Sequence, residues 1–230
     1  MDLRNRTALV TGANRGIGFE VCRQLAEQGL KVFLGSRNIE KGQAAAGQLN
    51  GKGMDVRPLQ LDVSSRDSIL RAVKELHDTV DILVNNAAIL DHGALQSESD
   101  EIVEQIVGAN LLGPLLLCKH LAVSMKKRNW GRIVNVSTGM AVLRGLSGDS
   151  VAYRVTKLGL NGLTLCIAES MRGKNVLVNS VDPGWVRTEM GGPMARKSPE
   201  EGAAEIIKAV LLPDHGPSGS FFRNGMKVEW

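Results

Sequence analysis

Residues 7–18, TALVTGANRGIG, leave this chain few folds to choose from. A short β-prone run, Thr7–Thr11, stops at Gly12, and Ile17, Val21 and Leu25 then recur every four residues, the spacing of one helix face. Gly12, Gly16 and Gly18 let the turn between the two elements close tightly and let its backbone approach a ligand. A strand that feeds a helix through such a turn is the first half of a strand–helix–strand unit.

The alternation continues along the sequence. Strand-like runs fall at Lys31–Ser36, Val56–Val63, Asp81–Ala87, Gly131–Thr138 and Asn175–Val181, with Ser220–Arg223 as a last short one. Helical segments fall between them at Glu40–Leu49, Ser65–Val80, Asp100–Lys127 (interrupted near Gly113-Pro114), Val151–Arg172 and Ser198–Leu212, the last with Ser198 as its N-cap. Pro58 points to an edge position or a weak start for the third strand. The strands read as continuous apolar runs, which implies a parallel sheet covered on both faces. The expected fold is therefore α/β: a doubly wound parallel sheet, Rossmann-like, of about seven strands with helices on both faces, in one domain spanning residues 1–230.

Composition narrows the function classes. Net charge is +4, without a block of like charges or a basic helix stripe, so no nucleic-acid partner is expected; Lys126-Lys127-Arg128 suits the end of a helix. Cys22, Cys118 and Cys166 each lie in an apolar helical stretch and read as free, buried thiols of a reducing compartment. His77, His92, His120 and His215 lack ligand spacing, so no metal site is expected. The N-terminal residues run straight into a strand, with no signal peptide or membrane-length apolar run, which points to a cytoplasmic protein with no membrane partner.

The glycine turn, which also holds Asn14, Arg15 and Ile17, precedes a helix whose N-terminus offers free N–H groups and partial positive charge to a diphosphate. The second strand ends in Gly35-Ser36-Arg37, where an acid would accept the 2′-OH of NAD. Arg37 and Arg15 instead suit a 2′-phosphate, which favours NADP(H). Asp62 is placed to meet the adenine amino group and Val63 to pack on the ring. Further along, Tyr153, the only tyrosine, precedes Lys157 by four residues, so a helix presents both on one face. A phenol ionises near pH 10 and needs about 4 kcal/mol of help to exchange protons near neutrality. A neighbouring ammonium and a positive nicotinamide are expected to supply much of it.

Taken together, these stretches resemble the short-chain dehydrogenase/reductase family, and in the tail its NADPH-dependent carbonyl reductases. TGANRGIG is similar to that family's TGxxxGxG, Asn85–Ala88 (NNAA) to its NNAG, YRVTK to its YxxxK, Asn110 to its helix-borne asparagine and Pro183-Gly184 to its PG motif. The resemblance implies that Tyr153 is the general acid/base, that Lys157 holds the nicotinamide ribose, and that Asn110 orders a water leading from Lys157 to solvent. It implies that Asn86, Ala87, Pro183, Gly184, Val186 and Thr188 line the cofactor, the last two engaging the carboxamide. Thr138 stands three residues after Asn135, where the family has a carbonyl-polarising serine; Ser137 beside it is the alternative.

The reaction implied is reversible NADPH-dependent reduction of ketones or aldehydes. The rivals are reduction of C=C bonds, oxidation of sugars or steroids, and a non-catalytic NADP-sensing protein. Leu90, His92, Met140, Leu143, Leu146, Trp185, Met190 and Met194 fall in the family's substrate loops and suit a small hydrophobic carbonyl or alcohol. An insertion before the tyrosine, found in monomeric carbonyl reductases, is lacking here, which leaves the helical faces free for a homodimer or homotetramer.

Overall fold

The computed structural model describes residues 3–77 and 79–230. Eight strands form one sheet: β1 (Thr7–Val10), β2 (Lys31–Ser36), β3 (Val56–Gln60), β4 (Ile82–Asn85), β5 (Gly131–Val136), β6 (Val176–Asp182), β7 (Ser220–Arg223) and β8 (Met226–Val228). Their order is β3-β2-β1-β4-β5-β6-β7-β8, parallel throughout except for β8. The helices are α1 (Gly16–Glu27), α2 (Ile39–Asn50), α3 (Arg66–Leu76), α4 (Asp100–Val107), α5 (Gly113–Arg128), α6 (Val151–Ser170) and α7 (Pro199–Val210).

Alternate residues of each strand feed two separate cores, which is why the strands read as unbroken apolar runs. Ala8, Val10, Val32 and Leu34 pack with Val21, Leu25, Leu49 and Ile206 of α1, α2 and α7. Leu9, Phe33, Leu83 and Ile133 pack on the other face with Ile69, Leu76, Leu117 and Leu121 of α3 and α5. The doubly wound sheet is thus as expected, and Pro58 does sit on an edge strand. Ser198 caps α7 in a reciprocal capping box with Glu201.

Four local expectations change. The sheet has eight strands rather than seven, because Asn224 and Gly225 adopt φ of 50° and 72° and fold Met226–Val228 back as a hairpin. The helix expected over Ser65–Val80 stops at Leu76, where His77 turns left-handed at φ 47°; residue 78 lies outside the described residues. The chain does not break near Gly113-Pro114 but runs as one helical rod from 100 to 128, with a π-helical segment at Gly108–Leu112 between α4 and α5. Pro114 has no N–H to return to Asn110, so the ordinary helical ladder is relieved there rather than ended. That rod is long and apolar enough to cross a membrane by length and composition, and half of its apolar window is buried inside the fold. Finally, Cys22 and Cys118 are buried but Cys166 is exposed, since it sits on the outer side of α6.

Candidate active site

The carboxyl ends of β1, β4, β5 and β6 share one edge of the sheet, and most of the expected residues collect there. Gly12 and Gly16 take φ of 61° and 59°, and a side chain on Gly12 would lie 2.8 Å from Ala87 Cα. One on Gly18 would lie 2.8 Å from the Gly12 carbonyl oxygen. The turn is clamped from β4. Asn86 Nδ2 donates to the Thr11 and Gly12 carbonyls at 2.9 and 3.2 Å, and the Thr11 hydroxyl accepts the N–H groups of Asn86 and Ala87 at 3.0 and 2.9 Å. Thr11 is thus a site residue that sequence reasoning passed over as the end of a strand.

The N-terminus of α1 is left open. Arg15 stands at its N-cap and makes no capping side-chain hydrogen bond, and the first turn holds no acid. By contrast α2, α3, α4 and α7 are capped by Asn38, Ser65, Ser99 and Ser198. Uncapped N–H groups, a positive helix end and glycines that admit close approach fit a dinucleotide diphosphate. Asn14 is half-buried beside them, and Ile17 packs onto the core. Arg37 is exposed past β2, with no ion-pair partner among the described residues. Arg15 differs from expectation: its guanidinium is ion-paired with Glu189 of the segment after β6. Asp62 Oδ1 accepts from the Ser64 N–H and hydroxyl at 3.0 and 2.6 Å, while Val63 is buried.

Tyr153 and Lys157 lie on one face of α6, both buried, with Lys157 Nζ 5.8 Å from the Tyr153 ring centre. The Thr138 hydroxyl accepts the Met140 N–H at 3.2 Å and favours the ionised form of the phenol, whereas the Ser137 hydroxyl is buried with no partner among the described residues. Both residues lie just past the end of β5, at Val136. The expected electrostatic help from Lys157 is not what sets the phenol. Burial pushes it up to about 12, the Asp182 carboxylate adds to that, and the Thr138 hydroxyl works against it. Lys157 donates to the Val136 carbonyl at 2.7 Å, and burial pushes its ammonium down to about 8. Desolvation sets the direction, and no carboxylate is paired with the ammonium among the described residues.

Asn110 sits fully buried in the π-helical segment. Its amide is spent on both backbone groups of Ile89 at 2.8 Å each and on Thr156 Oγ1 at 3.3 Å, so the side chain anchors the loop after β4. After β6, Pro183 is buried and Gly184 takes φ 85°. The Val186 carbonyl accepts the Thr188 N–H at 2.9 Å, and Thr188 Oγ1 accepts the Gly191 N–H at 3.1 Å. Thr188 Cγ2 lies 3.2 Å from where a Gly16 side chain would begin, so this segment closes on the glycine turn. Leu143, Leu146, Trp185, Met190 and Met194 are exposed around the opening. A cavity of about 480 Å³ between the end of α6 and the start of β6 lies at the opposite sheet edge and contains none of the expected residues.

The family described as short chain dehydrogenase matches residues 6–199. Carbonyl reductase (NADPH) 1 of Sus scrofa is 35% identical, covering 100% of this chain and 96% of that protein, over an alignment of 280 positions that exceeds this chain's own length. The 3-oxoacyl-(acyl-carrier-protein) reductase of Aquifex aeolicus is 35% identical over 82% of this chain and 77% of its own. Among solved structures, a metagenomic short-chain oxidoreductase in complex with NADP superposes with a TM-score of 0.84 at 29% identity, covering 97% of this chain and 98% of that one.

Proposed function

Given that the chain belongs to the short-chain dehydrogenase family, and is an oxidoreductase on that account, we propose that it is an NADPH-dependent carbonyl reductase that converts ketones or aldehydes to alcohols. The observation that carries this reading is the placement of Tyr153 and the buried Lys157 on one face of α6, with Lys157 Nζ 5.8 Å from the phenol ring centre. The 35% identity to a carbonyl reductase over the whole chain supports it.

In this reading Gly12, Asn14, Gly16, Ile17 and Gly18 with the α1 N-terminus hold the diphosphate. Arg37 meets the 2′-phosphate, joined by Arg15 once it leaves Glu189. Asp62 and Val63 receive the adenine, Asn86 and Ala87 back the glycine turn, and Pro183, Gly184, Val186 and Thr188 border the nicotinamide. NADPH supplies the hydride when bound. The Thr138 hydroxyl donates to the substrate carbonyl oxygen, and Tyr153 gives that oxygen its proton as negative charge develops. Lys157 passes a proton back toward the phenol side. A relay water would need an acceptor other than the Asn110 amide, which is engaged. A cytoplasmic location and a homo-oligomer complete the proposal.

Replacing Tyr153 by Phe tests it. NADPH oxidation with a panel of aliphatic and aromatic ketones should fall roughly 10²–10⁴-fold while NADPH still binds. Turnover unchanged from the parent refutes the reading; tight NADP binding with no turnover of any carbonyl by the parent chain favours a sensor. Arg37→Asp should weaken NADPH more than NADH.

A further inference from the structure

Arg154 follows Tyr153 on α6 and is buried. Its guanidinium is spent on the loop between β5 and α6. Nε donates to the Asp149 carbonyl at 2.8 Å, one terminal nitrogen to the Met140 and Gly145 carbonyls at 3.4 Å each, and the other to both Asp149 carboxylate oxygens at 3.1 and 3.0 Å. Met140 and Asp149 stand near the two ends of that loop, and Gly145 closes the turn at Leu143–Gly145 between them. Asn161 of α6 adds the Ala141 carbonyl at 3.1 Å. The Asp149 side chain is 57% exposed, so as a stabilising ion pair the contact is worth little. What the planar fork gathers is loop backbone, three carbonyls at once.

Further bonds carry this clip to the site. Met140, whose carbonyl Arg154 holds, donates its N–H to Thr138 Oγ1 at 3.2 Å. At the other end the Ser150 N–H donates to the Gly93 carbonyl at 2.9 Å, and Asp149 pairs with Ala94 in an isolated antiparallel bridge. The loop after β4, which carries Leu90 and His92, is therefore docked on the loop that Arg154 grips. We propose that Arg154 is a positioning residue for the carbonyl substrate: by clipping residues 140–149 to α6 it aims the Thr138 hydroxyl and fixes both substrate loops relative to Tyr153. The proposal deepens the carbonyl-reductase reading and rests on it. These bonds reach neither the glycine turn nor the turn after β6, so losing the clip acts on the carbonyl and not on NADPH.

Arg154→Met keeps an apolar stem and removes the fork. Amide hydrogen exchange read by mass spectrometry needs no turnover, and the Ala141, Gly145 and Ser150 amides, each hydrogen-bonded within or between these loops, report on the clip. They should exchange faster in the variant, while β5 and β6 keep the parent's rates. In NADPH oxidation, kcat/KM for ketones should fall roughly 10–100-fold, with the KM for NADPH unmoved. Arg154→Lys offers one point donor in place of the fork and should restore little of the loss. Unchanged exchange in the loop, exchange that quickens across β5 and β6 as well, or unchanged kcat/KM for ketones overturns the positioning role. So does a KM for NADPH that rises as far as kcat/KM falls, or full rescue by Arg154→Lys. Failure of the carbonyl-reductase reading would appear instead as a parent protein that turns over no ketone while its loop exchange still responds to Arg154→Met.

Discussion

Lys157 and Tyr153 share a helix face, and burial drives their proton affinities in opposite directions. The ammonium titrates at its ordinary 10.5 in the unfolded chain and at about 8 in the fold. Below about pH 8 both states carry the charge, and the fold bears the full cost of desolvating it. Between 8 and 10.5 only the unfolded chain holds the proton, so stability rises with pH across that window. The rise is at most about 3 kcal/mol. Tyr153 acts later and oppositely: its phenol moves from 10.0 to about 12, so the unfolded chain ionises first above pH 10 and stability falls. Urea unfolding of the cofactor-free protein at a series of pH values should show the rise, and Lys157→Met should abolish it. An equal slope in that variant would contradict the assignment. The Tyr-x-x-x-Lys pair itself was readable from sequence, since helix spacing is local. The sign of its electrostatics was not, because that depends on Asp182 and on burial, both products of the tertiary fold.

At the scale of elements, the glycine turn and α1 were legible for the same local reason. The rod from 100 to 128 was legible only in part: Gly113-Pro114 looks like punctuation, yet each residue has a different task. Pro114 relieves the ladder at Asn110, and Gly113 lets the rod touch the loop after β3. A side chain at Gly113 would collide with the Val63 carbonyl and lie 3.0 Å from its Cβ. Gly113→Ala should therefore cost about 1–3 kcal/mol of stability and raise the KM for NADPH, because Val63 flanks the adenine position. Unchanged urea midpoints and KM would show that the approach is not needed. The ion pair of Asp182 with Arg223, 41 residues apart, was illegible because only the β6–β7 register brings them together. The Asn224-Gly225 hairpin carried a readable signal that was passed over, since Met226–Val228 has no apolar run to mark a strand.

For the whole molecule, the fold class followed from the alternation of elements, but the surfaces did not. Leu112, Leu115 and Val155 are 48%, 41% and 57% exposed on the long rod and on α6. In the proposed oligomer a second copy covers this face. Val155→Glu should shift the molar mass by light scattering toward the monomer; an unchanged mass would place the contact elsewhere. The Arg15–Glu189 ion pair bridges the glycine turn and the segment after β6, and both side chains are more than half exposed, at 66% and 70%. Such a contact is worth no more than about 1 kcal/mol. Parting Arg15 from Glu189 thus asks little of an arriving phosphate, and the arginine is available to it at small cost.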